Sequence, residues 1–200
     1  MAIMHQPQLF SWNDVEAHSD LHRLHMVLEA LPDEPLMQAL EAERKGRRDD
    51  YPLRAVWNSI LAGLVFGHTN IESLRRELRR NGELRQGCGF DVFQGADAVP
   101  PPWVYTRFLK KLLRRLDLVE AMFETLVRDL TRELSDLGTR LAVDSNALRS
   151  FGFERRTIRG LKKMRFRVSL ALAVMLALAL SAVRAGRQER MRSLVNPRAA

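Results

Sequence analysis

YPLRAVWNSILAGLVFGHTNIESLRRELRR, residues 51–80, reads as two helices joined by a tight turn. Pro52 suits a first helical turn, and Leu53, Val56, Trp57, Ile60, Leu61, Leu64 and Val65 make a broad apolar stripe. Gly67-His68 ends that helix, and Thr69 or Asn70 caps the next. In the second helix Ile71, Leu74 and Leu78 face inward, leaving Arg75, Arg76, Arg79 and Arg80 as a basic outer edge. Helix, short turn with glycine, then a helix bearing arginines is compatible with helix-turn-helix docking on DNA. It is equally what any amphipathic pair with an arginine-rich solvent face looks like.

Upstream, Ser19 can cap a helix carrying Leu21, Leu24, Leu28 and Leu31, which Pro32 stops. A second segment with Leu36, Met37 and Leu40 follows. His18, His22 and His25 fall three to four apart, but no carboxylate pair or cysteine completes a metal set, and a polar helix face is the simpler reading. Downstream, residues 81–102 are broken by Gly82, Gly87, Gly89, Gly95 and the run Pro100-Pro101-Pro102, which predicts a loop with one short helical turn. The helical period returns at Trp103–Leu116. There Phe108, Leu109, Leu112, Leu113 and Leu116 form an apolar stripe beside a second basic face of Arg107, Lys110, Lys111, Arg114 and Arg115. Asp117 can cap a long helix running to Gly138. Thr139 to Val143 then reads as a short buried strand with Asp144 at its end.

Composition sets the outer bounds. Two hundred residues, 46% apolar, are enough to fill a core, and the single Cys88 excludes a disulfide framework or a cysteine-based zinc site. The opening residues carry no signal-peptide pattern, so the cytoplasm is the expected location. The net charge of +8 is uneven: five basic side chains stand against ten acidic in the first fifty residues, and twelve against two in the last fifty. Such asymmetry suggests a polyanionic partner, nucleic acid or an anionic membrane surface, with a solvated basic tail as the plain alternative.

The ordered series Tyr51–Trp57, Leu61–Val65, Ser73–Asn81, Leu84–Gln86, Cys88–Phe90 and Arg107–Leu109 resembles the N-terminal helical domain of bacterial DDE-type insertion-sequence transposases of the InsH type. Leu141-Ala142-Val143-Asp144-Ser145 is similar to the strand that delivers the first of that family's three catalytic acids, and Arg159–Arg165 through Arg192–Val195 resembles its C-terminal end. The resemblance implies a mainly α fold. A helical DNA-binding domain with a helix-turn-helix-like pair would span residues 1–137. Residues 138–200 would be a remnant of an RNase H-like domain, with one strand, a long apolar helix and a basic tail. It also implies contact between the two basic faces and phosphates of the element's terminal inverted repeats.

An intact family member implies two Asp and one Glu holding paired Mg2+ or Mn2+ ions. After Asp144 this chain offers only Glu154 and Glu189, so Asp144 is expected to be a vestigial first acid and no cofactor is expected here. The expectation is an internally deleted, catalytically inactive copy. Alternatives are a transposase subunit using Asp144 with acids supplied in trans, and a basic membrane-associated helical protein. Val168–Val183, with only Ser169 and Ser181 polar, is at the lower limit for a spanning helix. Its possible fates are packing on the helical domain, self-association (or association with full-length transposase), or, least favoured, a membrane.

Overall fold

The computed structural model describes residues 19–44, 51–134 and 160–186, and these contain eight α-helices, one 3-10 turn and no strand. Helices α1 (Ser19–Ala30) and α2 (Glu34–Ala42) are separated at Pro32, as the sequence predicts. Helices α3 (Leu53–Val65) and α4 (Ile71–Arg80) form the expected pair. Between them Gly67 takes a φ of 68°, a left-handed conformation natural to glycine, and His68 N donates to Gly63 O at 2.7 Å. Asn70 is the cap: its Oδ1 accepts from Ser73 N at 2.8 Å.

The stretch expected to be mostly loop contains a further helix, α5 (Gly82–Cys88), before the 3-10 turn Gly95–Ala98. Two local devices stabilise it despite its glycines. Asn81 Oδ1 accepts from Leu84 N at 3.0 Å, and Gly89 closes the C-terminus at φ 94°. Arg85 is buried on α5, and its Nη1 donates to Leu78 O at 2.8 Å and Arg79 O at 2.9 Å, satisfying carbonyls at the end of α4.

Helices α6 (Pro102–Arg114) and α7 (Leu116–Glu133) follow. Asp117 is not the cap of α7; it lies inside the first turn, and Arg115 occupies the cap position. Helix α7 buries Leu116, Val119, Met122, Leu126 and Leu130, whereas Val127 is exposed. The predicted strand 139–143, Gly138, and Asp144 lie outside the described residues.

Helix α8 (Leu161–Arg184) is long and apolar enough, by length and composition, to cross a membrane. Here it packs against α7 and α1, burying Phe166, Leu170, Ala173, Val174, Ala177 and Leu180 in one core with Leu24, Val27, Trp57, Leu126 and Leu130. Of the three fates open to this segment, packing on the helical domain is the one observed. Arg165 Nη2 donates to Glu120 Oε2 at 2.8 Å near the starts of α8 and α7, and Arg184 lies 3.9 Å from Glu133 near their ends. The two helices therefore run in the same direction. Helix α8 thus shares the core of the helices before it.

Candidate nucleic-acid interface

The basic edge of α4 is smaller than its four arginines suggest. Arg75 is turned inward: its Nε donates to Pro100 O at 2.8 Å and its Nη1 to Glu72 Oε2 at 2.9 Å. It ties α4 to the segment leading into α6. Arg80 is exposed but held by Glu77, with Nε to Oε2 at 2.8 Å. Both acids sit three residues before their arginines, a spacing that brings side chains together on a helix and was readable in the sequence. Arg76 and Arg79 are exposed and pair with no carboxylate among the described residues.

Helix α6 carries the cleaner face. Arg107, Lys110, Lys111 and Arg114 are spaced i, i+3, i+4 and i+7, with no acid anywhere on the helix. Its opposite side buries Tyr105, Phe108 and Leu112, which fixes the rotation of the helix about its axis. Arg107, Lys110 and Arg114 are exposed, and Lys111 is half-buried. The guanidinium of Arg107 lies 5.0 Å from the ring centroid of Trp103, itself 55% exposed. Arg115 does not belong to this face. Its Nε donates to Glu43 Oε1 at 2.7 Å, joining the α6–α7 corner to the end of α2.

Two buried hydroxyls orient α6 against α3. Ser59 Oγ donates to Val56 O at 2.7 Å, so the Tyr105 hydroxyl donates to Ser59 Oγ, 3.1 Å away. Burial pushes the Tyr105 pKa well above its ordinary value, so it remains a neutral donor. Cys88 is fully buried and its thiol is likewise pushed up by desolvation; Asn58 Nδ2 donates to its carbonyl at 3.1 Å. This cysteine is a core side chain rather than a nucleophile.

Beside the basic face, α3, α4, α6 and α8 enclose a cleft of about 390 Å³. Lys110 reaches its wall from α6, Lys163 and Arg167 from α8, and His68 from the α3–α4 turn. The α8 cations were not among the residues expected to form a site. No sequence period signals them, because the packing of α8 brings them to α6.

No group of three His, Cys, Asp or Glu positioned to hold a metal occurs among the described residues, and His25 lies 3.7 Å from Glu29. His18, Asp144, Glu154 and Glu189 lie outside the described residues. Comparison with known proteins returns no match to a protein family, to a curated protein or to a solved structure.

Proposed function

We propose that the chain is a DNA-binding protein of the insertion-sequence transposase type, acting through phosphate contacts rather than through catalysis. The observation that carries the DNA reading is helix α6. Four cations lie on one stripe with no acid on the helix, and Arg76 and Arg79 of neighbouring α4 remain unneutralised among the described residues. Cations held on a rigid helix suit phosphate positioning. The resemblance to transposases, over most of residues 45–195, supplies the class, with terminal inverted repeats as the DNA and a full-length transposase or a second copy as a further partner. Within these 200 residues Asp144 is followed by only two acids, Glu154 and Glu189. The chain therefore acts as a binding component, in the cytoplasm.

Binding to a duplex should fall steeply with salt, with a log–log slope of about −0.9 per phosphate neutralised. Reversing Lys110 and Arg114 to Glu should flatten that slope by roughly two contacts and weaken binding to every sequence alike. A duplex affinity indifferent to salt sinks the DNA reading. Strand cleavage with Mg2+ or Mn2+ that is abolished by Asp144→Ala sinks the catalytically silent one.

A further inference from the structure

The cleft between α3, α4, α6 and α8 joins an apolar lining, which duplex binding does not use, to a set of basic side chains. Much of its lining is apolar, with Leu64, Leu74, Leu109, Leu113 and Phe166 on the wall. Every ionisable side chain lining it, His68, Lys110, Lys163 and Arg167, is a base. The start of α4 also lines it at Asn70 and Ile71, adding the positive end of a helix dipole. Its volume of about 390 Å³ lies in the lower part of the range of small-molecule sites, roughly 300–1,000 Å³.

His68 also borders the cleft. Its Nε2 is buried yet has no hydrogen-bond partner, although the ring is stacked parallel to Phe66 with centroids 6.4 Å apart. That atom is closed off from the cleft, so recognition of a ligand there falls to the lysines on the rim. A hydrated inorganic anion would leave the aliphatic wall unused, and a neutral hydrocarbon would leave the cations unused. Both are used by a molecule with an apolar body and one oxyanion.

We propose that this cleft binds a small amphiphilic anion, of which a medium-chain carboxylate is the simplest member. Its chain lies along Leu64, Leu109 and Leu113, and its carboxylate is held by Lys110 and Lys163. Lys110 is shared with the duplex interface, but Lys163 and the apolar wall have no part in it, so variants at Lys163 and Leu109 test this site separately from the DNA reading.

Isothermal titration of the full chain with decanoate, decanol and acetate, below the micellar concentration, tests the proposal. Decanoate should bind saturably at one per chain, with decanol and acetate each about tenfold weaker or more, since each lacks one half of the recognition. Lys163→Glu, at an exposed position that the fold does not need, should cost decanoate about tenfold and leave decanol unchanged. Leu109→Trp, which fills the cleft from a half-buried position, should abolish both. Circular dichroism of each variant confirms that the helices persist; for a variant that fails this check, Leu113→Trp replaces Leu109→Trp and Lys163→Gln replaces Lys163→Glu. The proposal is overturned by absence of saturable decanoate binding, by decanol binding as tightly as decanoate, or by Lys163→Glu leaving the decanoate affinity intact.

Discussion

Asp33, 6% exposed at the turn between α1 and α2, accepts from Trp57 Nε1 at 2.5 Å and from Arg54 Nη1 at 2.6 Å. It stands at the cap position of α2 without capping it, because its oxygens are drawn to α3 instead. Trp57 is fully buried, so its indole N–H needs this acceptor. Asp33→Ala leaves both donors unmatched and should cost about 3 kcal/mol of unfolding free energy. Asp33→Asn keeps an acceptor for Trp57 and should cost about half as much, as read by urea denaturation. Equal losses would mean that Arg54, not Trp57, is the partner that matters. His68 gives a second test at this scale. Desolvation lowers its pKa below the usual 6.5, Glu77 pulls it up and Arg80 pushes it further down, and Lys110, Lys163 and Arg167 share its cleft. Below about pH 6.5 the unfolded chain takes a proton that the folded one resists, so stability falls as the pH drops. His68→Phe should remove that component: the urea midpoints of parent and variant should run parallel above about pH 7, with the parent falling faster towards about pH 5.5. A constant gap between the two across that range would show that the imidazole stays as well solvated as in the open chain.

Among the helices, what the sequence discloses depends on whether an element has one apolar face. Helices α4 and α6 do, and their buried leucines are legible from the 3.6-residue period; α3, buried on nearly every side, is legible from its broad apolar stripe and from the turn at Gly67 that ends it. Helix α5 is too short to show a period, and Gly82 and Gly87 disguise it; the signal that betrays it is Asn81 in front and Gly89 behind. Those two residues should carry much of its stability. Asn81→Ala removes the acceptor for Leu84 N and should cost about 1 kcal/mol, and Gly89→Ala forces a side chain to φ 94° and should cost about 1–2 kcal/mol. Both losses should register as faster amide exchange in α5 and at the end of α4, whose carbonyls Arg85 holds. Exchange unchanged there would mean that the α5 ends are secured by packing alone. The same distinction governs the site. The basic stripe of α6 was readable, but the diversion of Arg75 to Pro100 and of Arg115 to Glu43 was not, since each partner lies far off in the chain.

For the molecule as a whole, the decisive element is α8, because an all-round apolar helix leaves the choice of partner to the rest of the fold. Its alanines, Ala173, Ala177 and Ala179 among them, are buried, which lets the backbone come close to its neighbours, and Ser181 Oγ donates to Met26 O of α1 at 3.2 Å. Ion pairs with α7 near both ends, Arg165–Glu120 and Arg184–Glu133, fix its direction, though their exposure limits what each adds to stability. A helix that completes a soluble core and one that lies in a bilayer respond differently to charge. In the core, sidedness decides: Val174 is 1% exposed within the cluster, whereas Met175, next to it in sequence, is half-buried and outside the cluster. Val174→Asp should cost more than about 4 kcal/mol by burying an unpaired charge, and amide protection should be lost together in α1, α7 and α8. Met175→Lys should stay within about 1 kcal/mol of the parent, its stem lying along the helix while its ammonium reaches water. In a membrane-spanning segment both charges would lie in hydrocarbon and both variants would lose vesicle partitioning to a similar degree. Thermal unfolding and hydrogen exchange of the pair in detergent-free buffer therefore decide the matter. If Met175→Lys unfolds the chain as fully as Val174→Asp, the outward side of α8 is not facing water.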